Sequence, residues 1–278
     1  GFVLSVGGEG SRNAMHNRIY NNTIVKNNGT PIGVLDFGTT SGATMGRGIF
    51  VNNFVYGTTS PGGGNKLVLY WDASQITNDR FVSNVFGNPS GTAREKVIFN
   101  KNGERDLPGA VSTLRKTIDP DFGTWNGFSN VYDPLPGFTS YAGDNFKLPA
   151  GNKYIDAGAP LTQVSAGDVS SSSTLIVDDS RFFQDGMGIP SVTADWIAVG
   201  NVTNVVPIIS INYSTHAITL TKPIVRKKGD MVWLYARSNG QRVLHGAAPD
   251  IGAFEATSSA PPSGSKVLKA PTNLKARP

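Results

Sequence analysis

The sequence contains no cysteine. This absence excludes a disulfide framework, a thiol nucleophile and a thiolate metal site. No run of eighteen apolar residues occurs, so we predict no membrane-spanning helix. The motifs of zinc proteases, serine hydrolases, P-loop proteins and EF-hands are absent as well. The familiar catalytic signatures therefore assign no function to this chain.

The net charge is also small, because 25 basic and 20 acidic residues leave only +5 over 278 residues. The basic residues are dispersed, and no aromatic and basic motif of a nucleic-acid module is present, so we predict no nucleic-acid partner. An acidic polysaccharide suits this balance better, and a solvated surface is the alternative. The 33 glycines and 17 prolines favour a turn-rich β protein over a helical one.

What the sequence does contain is a short pattern that returns every thirty-one residues, at positions 19–25, 50–55 and 81–86. It consists of two apolar residues, a small polar residue, an asparagine and two apolar residues. A looser fourth copy lies at 126–132. A second track of apolar and aromatic residues, at 3–6, 34–37, 68–71 and 97–100, alternates with the first. A fixed period indicates a repeat architecture.

Each period holds at least two short strands separated by Gly, Asn and Ser turns, which predicts an all-β parallel β-helix with about four recognisable coils in residues 1–165. Successive coils stack about 4.8 Å apart, so equivalent side chains lie above one another. Asn22, Asn53, Asn84 and Asn130 are then predicted to form a structural ladder at a bend, where asparagine tolerates left-handed backbone. A ligand role is the alternative.

The period disappears between residues 166 and 245, where five strand candidates are spaced by turn residues. Such a run predicts an inserted small antiparallel barrel or sandwich. We expect this module to cover the last coil. The remaining residues divide into a closing segment at 246–255 and, at 256–278, a flexible linker followed by the start of another module.

Two segments carry a resemblance to a known family. Residues 148–158 contain I-D-A-G, and residues 249–255 read P-D-I-G-A-F-E. The pair resembles the closing segments of bacterial right-handed parallel β-helix proteins of the pectate-lyase-like type, although Asn152-Lys153 replaces the more usual Ser-Pro. The resemblance implies a fold shared by polysaccharide lyases, some glycosidases and many surface proteins without a known reaction. It does not imply a reaction.

The two ends of the chain carry further expectations. Residues 1–6 begin the first coil without a cap, and an exposed coil end is an aggregation hazard. We therefore expect another protein chain, or missing N-terminal coils, to stack on residues 1–6. Residues 270–276 resemble the first strand of a fibronectin type III domain, which implies a larger modular extracellular protein.

Most of the candidate catalytic residues come from the second track, whereas His16 and Arg18 come from the loop next to the first asparagine strand, where a solvated loop residue is the alternative. With Leu4, Leu35, Leu69 and Ile98 inward, an outward row of Ser5, Asp36, Tyr70 and Phe99 is expected to line a sugar groove. A lyase needs a basic group to remove a proton and a cation to neutralise the uronate, whereas an inverting glycosidase needs two separated carboxyls such as Asp36 and Asp72. Charges that solvate the sheet are the alternative. The proposed set is Asp36, Lys66, Tyr70, Asp72, His16 and Arg18.

Other polar residues have two interpretations each. Asp178, Asp179 and Asp185 supply the oxygen ligands that Ca²⁺ takes, and a hairpin turn is the simpler account. Asp156 and Asp250 belong to the closing motifs and are interpreted as turn or capping residues. His216 is interpreted as an exposed residue at a hairpin tip. No other cofactor is indicated, and the metal requirement stays open.

The sequence thus leaves two functions open. The first is an extracellular or cell-surface β-helix protein that binds or cleaves polysaccharide, most plausibly anionic, by lyase-like chemistry where it is catalytic. The second is a non-catalytic surface scaffold, adhesin or filament subunit assembled through the ends of the β-helix. Whether the protein is an enzyme is undecided by the sequence.

Overall fold

The fold is all-β in the residues that the computed structural model describes, which are 2–6, 13–15, 17–25, 32–36, 44–46, 49–56, 66–70, 76–77, 80–87, 96–100, 103–105, 124–125, 127–133, 135–167 and 170–256. The strands of the first half are β1 (Phe2–Val6), β2 (Asn13–Met15), β3 (Arg18–Tyr20), β4 (Thr23–Val25), β5 (Ile32–Asp36), β6 (Thr44–Gly46), β7 (Ile49–Val51), β8 (Phe54–Tyr56), β9 (Lys66–Tyr70), β10 (Ile76–Thr77), β11 (Arg80–Val82), β12 (Val85–Gly87), β13 (Lys96–Asn100), β14 (Gly103–Arg105), β15 (Thr124–Trp125), β16 (Phe128–Ser129) and β17 (Val131–Tyr132). Those of the second half are β18 (Thr162–Gln163), β19 (Ser170–Ile176), β20 (Trp196–Val199), β21 (Val205–Asn212), β22 (Ala217–Arg226) and β23 (Met231–Ala236), with a 3-10 helix at Ser180–Phe182. The predicted all-β class is confirmed. The described residues end at Ala256, so the linker and the following module predicted for 256–278 lie outside them after that residue.

The first half of the chain builds stacked parallel sheets. Sheet 1 has the order β1-β5-β9-β13, with β14 added antiparallel at its edge, and sheet 2 has the order β2-β6-β10. Sheet 3 has the order β3-β7-β11, and sheet 4 has the order β4-β8-β12-β17. The first three repeats each place one strand in each sheet, in the same order.

Sheets 3 and 4 keep the thirty-one-residue interval of the sequence. Phe50 pairs with Ile19 on one side and with Phe81 on the other. The Phe50 and Phe81 rings stack with their centroids 4.3 Å apart and an interplanar angle of 4°. This spacing matches the separation of neighbouring strands, about 4.8 Å, so an in-register repeat of aromatic residues forms a continuous ring stack in the core.

Sheet 1 does not keep that interval. Leu4 pairs with Val34, and Val34 pairs with Tyr70, whereas Asp36 pairs with Val6. The predicted row was therefore wrong, because Ser5, Asp36, Tyr70 and Phe99 do not share one register position: Ser5 lies opposite Leu35 and Phe99 opposite Leu69. The interval between paired residues is 30 from β1 to β5 and 36 from β5 to β9. Unequal connections between the strands thus displace this track by several residues.

The second half contains a six-stranded antiparallel sheet in the order β18-β23-β20-β21-β22-β19. The sheet curls until its two edge strands meet, where Ser165 N donates to Ile176 O (2.9 Å) and Asp178 N donates to Gln163 O (3.0 Å). Its inner side chains are fully buried, and they include Leu175, Ile197, Val206, Ile218 and Val232. These are the alternate apolar positions of each strand, as expected for a sheet with one buried face.

This antiparallel sheet packs along the side of the stacked repeats. Tyr20, Val51 and Val82 occupy one register row of sheet 3 and belong to, or pack on, the apolar core of the antiparallel sheet. Tyr20 Oη also donates to Phe182 O (3.0 Å). The expectation that the module covers the last coil was wrong, because its contacts extend over three successive repeats. An outward apolar row on sheet 3 needs lateral cover, since it would otherwise face water.

Sheet 4 is covered by a different segment, residues 138–157. Phe54, Tyr56 and Val85 form an apolar cluster with Tyr154 and Ile251. Phe138 contacts Phe54 and Tyr56 with ring centroids 4.8 Å and 5.4 Å away. Both outer faces beside the asparagine corner are therefore buried beneath the C-terminal half. No helix long and apolar enough to cross a membrane occurs in the described part of the chain.

The two segments that carry the family resemblance meet at the corner between sheets 3 and 4. Asn52 Nδ2 donates to Ala159 O (2.9 Å), Ala159 N donates to Asn52 Oδ1 (2.7 Å), and Gly252 N donates to Asn52 O (2.8 Å). Gly158 N donates to Pro249 O (2.8 Å). A Cβ at Gly158 would lie 2.6 Å from that oxygen, so the close approach requires glycine.

Candidate functional site

The predicted catalytic residues of sheet 1 lie on neighbouring strands. Asp36 ends β5, while Lys66 and Tyr70 begin and end β9. Their backbones are described and their side chains are not, whereas His16 and Asp72 lie outside the described residues. Their proposed roles therefore stay predictions. The register places Tyr70 two residues from the level of Asp36, opposite Val34.

Arg18 is an anchor between the two halves of the molecule. Its Nε lies 2.7 Å from Asp179 Oδ2, and its Nη2 contacts the same oxygen. The two side chains are only 6% and 11% exposed. Burial acts to raise the pKa of Asp179, but hydrogen bonds from Arg181 and the positive charge of Arg18 outweigh it and hold that pKa below its ordinary value. A guanidinium held in this buried ion pair does not face a substrate.

The four asparagines form an unbroken chain of hydrogen bonds. The Nδ2 atoms of Asn22, Asn53 and Asn84 donate to the Oδ1 atoms of Asn53, Asn84 and Asn130, at 2.9, 2.9 and 2.8 Å. The left-handed backbone belongs to the preceding residues Asn21, Asn52 and Ser83, with φ of 52°, 55° and 53°. The bend thus uses one residue for its backbone and the next for its side chain.

The aspartates considered for Ca²⁺ have other partners. Asp179 binds Arg18 and Arg181, and Asp178 Oδ2 accepts from Gln163 Nε2 (2.7 Å). Asp185 Oδ1 accepts from Met187 N (3.0 Å), and its Oδ2 accepts from Ile211 N (2.7 Å). Among the described residues, no group of three His, Asp or Glu side chains is arranged to hold a metal ion.

His216 lies between β21 and β22 with φ of 55°, as a tight hairpin requires. The prediction that it is exposed was wrong. It is half-buried, and its Nδ1 lies 3.1 Å from Ser180 Oγ and 3.3 Å from Ser180 N. This contact ties the hairpin to the 3-10 helix beneath it.

A polar cavity of about 270 Å³ lies beside the asparagine corner. Its wall is built from four segments: Asn21 at the first bend, Lys147, and two stretches of the C-terminal region. Those stretches contribute Arg237, Gln241, Arg242, Val243 and His245, and then Gly252, Ala253, Phe254 and Glu255. Distant segments converge here because residues 138–157 and the closing segment both fold back over the corner.

Three cations line this cavity and make it electropositive. Lys147, Arg237 and Arg242 are exposed, and none forms an ion pair with a carboxylate of the described residues. Arg242 is oriented by its Nε, which donates to Leu244 O (2.7 Å), and by Tyr235, whose ring centroid lies 4.9 Å from the guanidinium carbon. Such cations are suited to bind a carboxylate or another anion.

One carboxyl group completes the wall. Glu255 Oε1 accepts from Asp250 N (3.0 Å). Burial, followed by the nearby charge of Asp250, raises the pKa of Glu255 to about 8. Burial also raises the pKa of Asp250, whose Oδ1 accepts from Asp156 N (2.9 Å) and whose Oδ2 accepts from Ala256 N (2.6 Å). Glu255 is therefore largely protonated at neutral pH and subtracts little from the positive charge.

Comparison of the chain with protein-family models, curated proteins and solved structures finds no match.

Sequence reasoning missed this cavity. Glu255 was interpreted only as the last residue of a closing motif, and the three cations are isolated in the sequence rather than grouped. The available signal was the closing motif itself, because a buried Pro-Asp-Ile-Gly segment that ends in a glutamate brings a carboxyl group to the corner. Nothing local in the sequence indicates which cations it meets.

A second, larger groove of about 1120 Å³ lies beside the fourth repeat. Its lining is mainly apolar and includes Val131, Trp233 and Ile251. Lys153 also lines it, but its Nζ lies 2.8 Å from Asp133 Oδ2. Because that cation already has a partner, the groove offers less to an acidic ligand than the polar cavity does.

Proposed function

We propose that this chain is a right-handed parallel β-helix protein of the cell exterior or cell surface that binds an anionic polysaccharide. The architecture is supported by the repeated visit to sheets 1 to 4 in the same order and by the in-register stacking of sheets 3 and 4. The curled antiparallel sheet is then an inserted barrel-like module. The closing segments, which resemble those of pectate-lyase-like proteins, add to this proposal.

The observation that carries the ligand class is the electropositive cavity at the corner. Lys147, Arg237 and Arg242 converge on it from separate segments. A uronate carboxylate bound there would accept charge-assisted hydrogen bonds, which contribute about 1.5–3 kcal/mol each. Phe254 is 39% exposed at the same wall and offers an apolar surface to a sugar ring.

We propose that the candidate catalytic residues predicted from the sequence carry out the cleavage. In a lyase reaction a basic group removes the proton beside the uronate carboxylate, the glycosidic C–O bond breaks, and the departing oxygen takes up a proton, which leaves an unsaturated sugar. His16, Asp36, Lys66, Tyr70 and Asp72 are the residues proposed for this work. Arg18 is left out because its guanidinium is buried against Asp179.

Binding to a polysaccharide panel tests the proposal. Polygalacturonate and alginate are compared with neutral dextran by calorimetry, and the absorbance of unsaturated ends is followed in the same mixtures. We expect binding of the two polyuronates alone, weakened by salt because the contacts are exposed. Lys147→Gln, Arg237→Gln and Arg242→Gln should each weaken binding roughly tenfold or more.

Lys222→Gln is the matched control, since Lys222 is an exposed lysine of β22 that does not line the cavity. Equal binding of dextran, or cavity variants that behave like the control, would show that the site is not an acidic-sugar site. Absorbance of unsaturated ends identifies a lyase, and its absence with binding retained identifies a binding protein.

A second candidate, a scaffold that assembles through the ends of the β-helix, is favoured by one observation. β1, β3 and β4 are the outer strands of their sheets at the same end of the stack. Asn22 Oδ1 accepts no hydrogen bond from a described residue, although each later asparagine of the ladder accepts from the preceding one. Light scattering over a range of concentration tests this candidate, and a constant monomer mass with polyuronate binding would reject it.

A further inference from the structure

We infer that the inner wall of the corner cavity recognises sugar hydroxyls through Asn21 Oδ1 and Glu255 Oε2, so that the site selects hydroxylated acidic sugars over simple anions. This inference rests on the proposed polyuronate binding and names the residues that give it specificity. Both residues line the cavity. Both oxygen atoms are buried and have no hydrogen-bond partner among the described residues.

Comparison of the three bends shows that Asn21 differs from its equivalents. Asn52 uses its whole amide, since Nδ2 donates to Ala159 O and Oδ1 accepts from Ala159 N. Ser83 Oγ donates to Ala157 O at 3.5 Å. Asn21 occupies the same left-handed position in the first repeat, but its Oδ1 has no described donor. The closing segments thus supply hydrogen-bond partners to the side chains at the second and third bends, whereas the side chain at the first bend lines the cavity.

Glu255 lines the same cavity and supplies a hydrogen-bond donor. Its Oε1 already accepts from Asp250 N, whereas Oε2 has no partner among the described residues, so the acid proton is assigned to Oε2. The groups that face this carboxyl are Asp250 and Asp156 beneath it, His245 beside it, and the cations Lys147, Arg237 and Arg242 at the rim. The neighbouring carboxyls and burial favour the protonated form, which explains the raised pKa of about 8.

A sugar hydroxyl matches this pair of atoms because it both donates and accepts hydrogen bonds. It can donate to Asn21 Oδ1 while it, or its neighbour on the ring, accepts from Glu255 Oε2. The sulfate dianion can bind the cations and accept from Glu255, but it has no proton to donate to Asn21. A buried oxygen left without a hydrogen bond costs about 1–3 kcal/mol. The cavity should therefore bind a ligand that carries a hydroxyl more tightly than a ligand that lacks one.

The experiment measures binding of trigalacturonic acid, maltotriose and inorganic sulfate by calorimetry, with wild-type protein and the variants Asn21→Gly, Asn21→Ser, Glu255→Gln and Glu255→Ala. Glycine tolerates the left-handed bend and removes the oxygen, and serine already occupies the equivalent bend at Ser83. We expect Asn21→Gly to weaken trigalacturonate binding about fivefold to tenfold and to leave sulfate binding unchanged, whereas Glu255→Ala should weaken the binding of both ligands, because both accept from Glu255. Glu255→Gln retains a donor and should bind like wild type at pH 7.

A pH series separates this role from a merely structural one. Wild-type binding of trigalacturonate should fall as the pH rises through about 8, where Glu255 loses its proton and repels the ligand carboxylate. Glu255→Gln should show no such fall. Thermal unfolding of each variant verifies folding, and Asn21→Ser replaces Asn21→Gly if glycine loosens the bend.

The outcomes distinguish the two proposals. Binding that needs the rim cations but is indifferent to Asn21, Glu255 and pH overturns this inference and leaves the proposed function standing. Binding of maltotriose that needs Asn21 and Glu255 but not the cations supports the hydroxyl-recognising wall and overturns the acidic ligand class. Failure of trigalacturonate and maltotriose to bind overturns both.

Discussion

Replacing Asn53 tests the asparagine ladder where it is most completely buried. Asn53 is 0% exposed, its Nδ2 donates to Ile19 O (2.9 Å) and Asn84 Oδ1 (2.9 Å), and its Oδ1 accepts from Asn22 N (3.2 Å). Asn53→Ala leaves Ile19 O and Asn22 N without these partners. Two buried groups at about 1–3 kcal/mol each predict a loss of roughly 2–6 kcal/mol in the free energy of unfolding. That is a large part of the total stability of a typical domain, about 5–15 kcal/mol.

Position along the ladder provides the control. Asn22 is half-buried at the end of the ladder, and its Nδ2 donates only to Tyr20 O and Asn53 Oδ1. Asn22→Ala removes these bonds where water can replace them, so we expect a loss of about 1 kcal/mol. Asn53→Asp should be at least as harmful as Asn53→Ala, because an oxygen would replace Nδ2 and face Ile19 O and Asn84 Oδ1.

Urea unfolding followed by tryptophan fluorescence and by far-ultraviolet circular dichroism measures these free energies, provided the slope against urea is unchanged. The reasoning would be refuted by equal losses at Asn22 and Asn53, or by an Asn53→Ala protein that loses less than about 1 kcal/mol. Either result would mean that the stacked strands, and not the asparagine amides, hold the corner.

Four further predictions follow from other contacts. Asp179→Asn leaves the Arg18 guanidinium buried without its counter-charge and should lower the free energy of unfolding by about 3–5 kcal/mol. Arg18→Met should be less harmful, because Asp179 keeps its ion pair with Arg181. Equal losses for the two variants in urea unfolding would contradict this reasoning. The depressed pKa of Asp179 adds stability that is present above its unfolded value of 3.8 and is lost as the pH falls through the folded value, so Asp179→Asn should flatten the acid limb of a stability curve. The raised pKa of Glu255 adds stability that is fully present below its unfolded pKa of 4.5 and is lost as the pH rises through about 8. Glu255→Gln should remove that decline. A curve of stability against pH that declines in parallel with that of the wild type would refute this prediction. Gly252→Ala forces a side chain onto φ of 108° with its Cβ 2.6 Å from Thr23 Oγ1, so thermal unfolding should show a loss of about 1–3 kcal/mol, and an unchanged midpoint would count against the tight contact.

The sequence period indicates the parallel sheets because stacking requires equal intervals wherever side chains meet in the core. Phe50 and Phe81 are thirty-one residues apart and pair in the structure. The same reasoning misplaced Asp36 relative to Tyr70, because the connections outside sheets 3 and 4 vary in length. The sequence comparison aligned residues of similar type, whereas the strands pair with a shift of one or two residues from that alignment.

The candidate cavity lay beyond sequence reasoning for another reason. Asn21 and Glu255 become neighbours only after the C-terminal half folds back over the first repeats. Their place in one cavity depends on the corner hydrogen bonds of Asn52 with Ala159 and Gly252, which join positions more than one hundred residues apart. Local propensity carries no information about such long-range contacts.

The lateral cover has a consequence for how this protein unfolds. An array of repeats that touch only their neighbours melts by fraying from its ends, with stability that adds repeat by repeat. Here Tyr20, Val51 and Val82, from three successive repeats, share one apolar core with the antiparallel sheet. Losing the first repeat would uncover the others, so the unfolding of all three is coupled into one cooperative event. The same long-range contacts must form during folding, and the entropy lost in closing such long loops makes slow folding the expected consequence for stacked repeats that cannot fray.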